Sequence, residues 1–120
     1  MKFFVNGSEG NALIHVRGAD TVYNILFLND DGTPLSLASP AVAEVEFFTT
    51  EERTDTPSPV LTVTPGAGAA AGFGTLVIQD SNLLLERGTV YAWGRYKSGA
   101  GTGVGTLVSI GITPSEIKVI

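Results

Sequence analysis

The chain has 120 residues, no cysteine, and 7 basic and 12 acidic side chains, which give it a formal net charge of −5. This length bounds the chain to one domain, and the absence of cysteine excludes disulfides, thiolate zinc sites and cysteine nucleophiles. The acidic balance and the scattered basic residues disfavour nucleic acid and anionic membrane surfaces as partners.

The expected surface of this domain is short of charge. Charged residues make up 16% of the chain, whereas ordinary soluble domains carry about 25%. Each charge must therefore cover roughly 320 Å² of folded surface, against about 200 Å² at ordinary density. Hydrophobic residues make up 43% of the chain, which is too much for a disordered segment. The deficit predicts that partners cover part of the surface.

The first ten residues contain a short apolar run followed by a turn signal. We expect residues 1–10 to form an N-terminal arm of a single β-sandwich domain that spans residues 1–120. The apolar run at 3–5 is too short for a signal peptide, and no stretch approaches the 18 apolar residues of a membrane-spanning helix. The sequence therefore predicts a protein that stays in the cytosol where it is made, or leaves it within an assembly.

Alternation of apolar and polar residues dominates the rest of the chain, and Gly and Pro interrupt it too often for long helices. The apolar segment 21–28 predicts a central strand, and Gly32 with its neighbouring acidic residues predicts the turn that follows. Turn signals recur roughly every 8–15 residues, which predicts an all-β fold, an immunoglobulin-like β-sandwich of about seven to eight antiparallel strands. The predicted strands cover residues 12–17, 21–28, 42–50, 60–64, 73–79, 89–97, 104–112 and 117–120.

The segment 80–88 breaks the strand pattern and predicts a single helical turn closed by Gly88. Leu85, Thr89 and Tyr91 follow the spacing L-x-x-x-T-x-Y. In immunoglobulin-like sandwiches a tyrosine at this corner bonds back to the backbone and crosses between the sheets. The alternative is that Tyr91 is simply an inward-facing aromatic residue.

The sequence contains no legible catalytic or ligand-binding constellation. His15 is the only histidine and lies within a predicted strand, without the G-x-S-x-G motif of a nucleophile elbow. The segment 66–71 fits a loose dinucleotide-binding pattern, but the glycines that follow it break the helix that phosphate binding needs. The carboxylate pairs at 30–31 and 51–52 lack the spacing of a calcium loop. We therefore expect no enzymatic activity, no metal and no cofactor.

Eight of the ten aromatic residues lie in predicted strands, and the other two, Phe3 and Phe4, lie in the predicted N-terminal arm. Phe47 and Phe48 are consecutive, and Trp93 and Tyr96 differ in parity, so some aromatic rings must point away from the core. An exposed aromatic face usually marks a contact surface, and a sugar-stacking platform that includes Trp93 is the rival use. The predicted contact residues are Phe3, Phe4, Phe48, Gly68 and Phe73.

Three segments resemble small immunoglobulin-like modules of tailed-phage virion proteins. These segments are 17–21 (RGADT), 30–37 (DDGTPLSL) and 85–91 (LERGTVY), and the similarity covers roughly residues 17–112. The modules occur in baseplate upper proteins, head fibres and capsid decoration proteins. Ala19 departs from the pattern, because it separates the Gly and Asp that are usually adjacent there.

The resemblance implies a non-catalytic β-sandwich that is built into a symmetric particle. We expect a capsid decoration, or cement, protein that stabilises the head shell; the alternatives are a tail, baseplate or fibre component, or a glycan-binding immunoglobulin-like module. The implied partners are the major capsid protein or another virion protein, together with further copies of the chain in a homo-oligomer, for example a trimer. The implied location is the virion, after synthesis in the host cytoplasm.

Overall fold

A computed structural model describes residues 1–10, 12–16, 18–39, 41–52, 60–79, 88–97, 108–110 and 114–120; for Ala12 and for 108–110 it describes the backbone alone. Within these residues the chain forms β-strands joined by turns, with one short 3₁₀ turn, η1 (Ala69–Ala71). The strands are β1 (Lys2–Val5), β2 (Ser8–Glu9), β3 (Ala12–His15), β4 (Thr21–Leu28), β5 (Val42–Phe48), β6 (Val60–Thr62), β7 (Thr64–Pro65), β8 (Phe73–Ile78), β9 (Gly88–Lys97), β10 (Val108–Ile110) and β11 (Ser115–Val119).

The strands form two sheets that pack as a sandwich. Sheet I has the spatial order β2-β1-β4-β8-β7, and sheet II has the order β3-β11-β9-β5-β6, with β10 also paired to β9. This arrangement confirms the predicted all-β sandwich. Two details differ from the prediction: the described residues form eleven short strands, and β3 pairs with β11 in parallel.

The chain crosses between the sheets at both edges of the sandwich. At one edge β2 in sheet I leads into β3 in sheet II through Gly10, whose φ of 68° favours glycine. At the other edge only Val63 separates β6 in sheet II from β7 in sheet I. Val63 is buried, and its N–H donates to the Ala43 carbonyl at 2.8 Å. The predicted single strand over 60–64 is therefore bent across two sheets, as at the corners of other sandwiches.

Residues 2–5 are an integral part of the core, so the prediction of an N-terminal arm is wrong. β1 lies between β2 and β4 in sheet I. Phe3 and Val5 are buried between the sheets, whereas Phe4 points outward, as strand alternation requires. The Phe3 ring lies 5.4 Å from that of Phe27, and its other neighbour is the backbone of Gly94 in sheet II.

The predicted turn after β4 is confirmed, and side chains fix its shape. The Gly32 φ of 89° lies in the left-handed region that favours glycine. The backbone N–H and the hydroxyl of Thr33 both donate to the Asp31 carboxylate, at 2.9 Å and 2.6 Å. These two hydrogen bonds lower the pKa of the Asp31 carboxyl below its ordinary value, because they stabilise the charged form.

His15 points into the sandwich at the end of β3, in register with Val119. Its side chain is only 1% exposed, and neither ring nitrogen has a hydrogen-bond partner within the described parts of the chain. A buried polar group without a partner costs free energy. His15 is therefore a core residue whose polarity opposes folding.

Replacing His15 by leucine is expected to raise the free energy of unfolding by about 1 kcal/mol, because an apolar side chain of similar size needs no hydrogen-bond partner. Urea denaturation followed by circular dichroism measures the change. Ile14→Leu is the matched control: Ile14 is 63% exposed on the same strand, and its substitution should leave stability within about 0.5 kcal/mol. A lower stability of His15→Leu would show that the imidazole makes a favourable interaction.

Candidate interaction surface

The side of sheet I that faces away from the core is apolar across its two longest strands. In β4, Tyr23, Ile25 and Phe27 point inward, so the alternate residues point outward. In β8 the inward positions are 74, 76 and 78. We call the outward residues of these strands and of β1 the outer face of sheet I; they are Lys2, Phe4, Val22, Asn24, Leu26, Leu28, Phe73, Thr75 and Val77.

The strand register arranges this face in rows. Leu26 lies opposite both Phe73 and Phe4, so an apolar row crosses three strands. Asn24 and Thr75 form the next row, and Val22 pairs with Val77 to form a second apolar row. Val22 is 60% exposed, Phe73 49% and Val77 42%. Large exposed apolar side chains that adjoin one another mark a contact surface.

The same face carries almost no charge. Neither β4 nor β8 contains a charged residue. Lys2 and Glu9 lie at the rim, on β1 and β2, and they have opposite signs. A surface without charges in its centre and with charges at its rim has the composition of a protein–protein interface.

The loop between β7 and β8 is folded against this face. A Cβ added at Gly68 would lie 3.1 Å from the Phe73 side chain, so the glycine permits close packing. Gly72 has a φ of 91°, and a Cβ there would lie 2.3 Å from the Phe27 carbonyl oxygen. The Leu37 N–H also donates to the Ala69 carbonyl at 2.7 Å. The loop between β7 and β8 thus holds Phe73 in place.

Three of the five predicted contact residues, Phe4, Gly68 and Phe73, come together at the outer face of sheet I. Phe3 and Phe48 do not: Phe3 lies in the core, and Phe48 is buried on the outer side of sheet II, opposite Tyr91. The interface prediction is wrong for these two because their rings are not accessible. Sequence reasoning missed Val22, Leu26 and Val77, although the unbroken apolar run at 25–28 shows that β4 is apolar on both faces.

The predicted tyrosine corner is also wrong. The inward positions of β9 are held by Val90 and Ala92, so Tyr91 points outward, in register with Phe48 and Glu116. Its ring therefore does not cross between the sheets. Thr89 pairs with Lys118 on the same outer side, and Leu85 lies outside the described residues.

The outer side of sheet II differs from that of sheet I because it carries charged side chains, four of which form two ion pairs. An Arg95 guanidinium nitrogen lies 3.1 Å from the Glu46 carboxylate, and the Lys97 ammonium lies 3.1 Å from that of Glu44. Glu46 is only 1% exposed. Its charge is thus compensated within the sheet, and the pairs are a structural feature of this face.

Trp93 and Tyr96 lie on opposite faces of β9, as their parity predicts. Trp93 is half-buried beside Glu46 on the outer side. The Tyr96 hydroxyl donates to the Ser36 carbonyl at 2.8 Å, and burial raises the pKa of this tyrosine. Sugar stacking on Trp93 stays a prediction.

Other sites in the described ranges are less developed. A cleft of about 580 Å³ is lined by Val16, Gly88 and residues 118–120, and Lys118 is its only charged lining residue. Within the described parts of the chain, no three His, Asp or Glu side chains are grouped closely enough to hold a metal ion. The same residues include no helix with the length and apolarity needed to cross a membrane.

No protein-family model matches the chain, and no curated protein matches its sequence. The outer face of sheet I and the strand order are therefore the features that bear on function.

Proposed function

We propose that this chain is a non-enzymatic structural protein of a phage virion, which decorates the capsid and stabilises the head shell. The observation that carries the proposal is the outer face of sheet I, where Val22, Phe73 and Val77 expose apolar surface without a charge between them. Such a face suits protein packing in an assembly. It also accounts for part of the low charge density of the chain.

The strand order supports an immunoglobulin-like module of the kind found in such virion proteins. The order β1-β4-β8-β7 in sheet I corresponds to the A-B-E-D sheet of immunoglobulin domains, and β11-β9-β5 in sheet II corresponds to the G-F-C sheet. The segments 17–21 and 30–37, which resemble the phage modules, flank β4 at its two ends. The resemblance and the topology thus refer to the same part of the fold.

Assembly on a particle explains how a small contact face can be sufficient for stable binding. A lattice presents many equivalent sites, so several weak contacts combine into tight overall binding. The partner in this proposal is the major capsid protein or another virion protein. A tail, baseplate or fibre component would use the same contact chemistry. The number of copies per virion, relative to the shell protein, distinguishes these alternatives from capsid decoration.

Quantitative mass spectrometry of virions tests this function. In virions of the phage that encodes the chain, we expect a fixed ratio of this protein to the shell protein, since decoration sites repeat with the lattice. Particles assembled without the protein should lose their DNA at a lower temperature, and adding the purified chain should restore both ratio and stability. Absence of the protein from virions would contradict the proposal.

A further inference from the structure

Where β4 pairs with β8, the outer face of sheet I has the same sequence of rows from either end. An apolar row formed by Leu26 and Phe73 is followed by a polar row, Asn24 and Thr75, and then by a second apolar row, Val22 and Val77. The two apolar rows are four residues apart along both β4 and β8, because these strands keep one register throughout. The pattern is therefore symmetric about its polar row.

We propose that the partner covering this face is a second copy of the chain, related by a two-fold axis that runs across the strands along the row of Asn24 and Thr75. This inference rests on the proposed function in treating the outer face of sheet I as a protein contact within an assembly, and it assigns that face to a contact between copies rather than to the shell protein. A two-fold axis in the plane of the interface reverses the order of the rows. Phe73 of one copy then packs on Val77 of the other, and the polar row meets its own copy.

The packing is complementary in size, and the contact between β4 and β8 of the two copies contains no charge. The larger side chains of one apolar row, Leu26 and Phe73, meet the smaller valines of the other, which lets the two faces interdigitate. A second copy also carries a net charge of −5, so only a charge-free contact avoids strong repulsion. β4 and β8 provide such a contact, since neither contains a charged residue.

The size of the face predicts a reversible dimer. β4 has eight residues and β8 has six, and at about 3.4 Å per residue and about 4.8 Å between strands they span about 230 Å² of sheet. A contact of this size buries less than the roughly 1,200 Å² in total that marks the lower limit of standard specific interfaces. We therefore expect dissociation in the high micromolar range in solution, and stronger association where a particle holds the copies together.

Sedimentation equilibrium of the full chain between about 1 µM and about 500 µM tests the dimer. The mass should rise from 12.5 kDa towards twice that value. Val22→Lys should raise the dissociation constant about 100-fold, because each dimer would bury two unpaired ammonium groups. Ile14→Lys is the matched control, since Ile14 is 63% exposed and Val22 60%, and it should leave association unchanged. Circular dichroism checks that both variants are folded.

Cross-linking tests the axis itself, because the chain has no cysteine of its own. Phe73→Cys and Val77→Cys chains are mixed and treated with a short bis-maleimide. The mixture should give covalent dimers efficiently, whereas Phe73→Cys alone should not, since its two sulfurs would be about 14 Å apart along the strands. Efficient cross-linking of Phe73→Cys with itself, or none in the mixture, would overturn the geometry.

The remaining outcomes separate this inference from the proposed function. A wild-type chain that stays monomeric over the whole concentration range, or approaches three chain masses, overturns the two-fold dimer. Equal weakening by Val22→Lys and Ile14→Lys overturns the assigned face. If the wild-type chain does not form the dimer but is still found in virions at a fixed ratio to the shell protein, the dimer is refuted and the structural function stands. A chain that dimerises as described but is absent from virions refutes the structural function and leaves the two-fold contact standing.

Discussion

Adding one methyl group at Gly94 is expected to lower the free energy of unfolding by about 3 kcal/mol, the upper end of the usual cost of overpacking a core. A Cβ at this position would lie 2.6 Å from Phe3 ring atoms and 2.8 Å from the Phe3 Cβ. The Phe3 ring is buried and its other side faces Phe27, so it cannot move away without displacing the core. Urea denaturation of Gly94→Ala measures the loss.

Gly66→Ala is the control for this substitution. No atom lies within 4 Å of a Cβ added at Gly66, and the backbone there does not require glycine, so stability should stay unchanged or rise slightly. A smaller side chain at position 3 should also relieve the clash with the added methyl group. Combining Gly94→Ala with Phe3→Leu is therefore expected to cost less stability than the sum of the two single changes. Additive losses would show that the two residues are not in contact.

Replacing Arg95 by methionine is expected to destabilise the chain by about 3 kcal/mol, because it leaves a buried carboxylate without its cation. Glu46 is 1% exposed, and an Arg95 guanidinium nitrogen lies 3.1 Å from its Oε1 atom. The neighbouring pair is the natural comparison. Lys97 and Glu44 are about as close but more accessible to solvent, so Lys97→Met should cost only about 0.5 kcal/mol.

The double variant Arg95→Met with Glu46→Leu shows whether the stability that Arg95→Met loses is due to the charge of the buried Glu46 carboxylate. Removing both charges should recover most of the loss, because a buried ion pair can be exchanged for apolar side chains at little cost. Thermal and urea denaturation of the three variants give the coupling between the two residues. A double variant as unstable as Arg95→Met would place the effect in lost packing of the arginine stem instead.

Local alternation was sufficient to locate the long strands. The predicted strand at 21–28 matches β4 at both ends, and the predicted strand at 42–50 begins where β5 begins. β1 was missed because its four residues carry no pattern beyond a short apolar run. Its strand character depends on pairing with β4, and that pairing is not visible in the local sequence.

The contact face was only partly predictable for the same reason. Phe3 and Phe4 are consecutive aromatic residues, and alternation puts one ring inside and one outside without indicating which. The register of β1 against β4 decides it: Phe3 pairs with the inward Phe27, whereas Phe4 pairs with the outward Leu26. Likewise, the row that joins Leu26 to Phe73 links strands far apart in the sequence.

The short strands from which the chain crosses between the sheets have a consequence for association at high local concentration. Open sheet edges are templates on which other chains add strands and start amyloid-like growth. Here β2 and β7, which end sheet I, have only two residues each, and Pro65 lacks an N–H to offer. Sheet I therefore offers other chains few free backbone groups, which limits its pairing with other copies where a protein with few charges is concentrated on a surface.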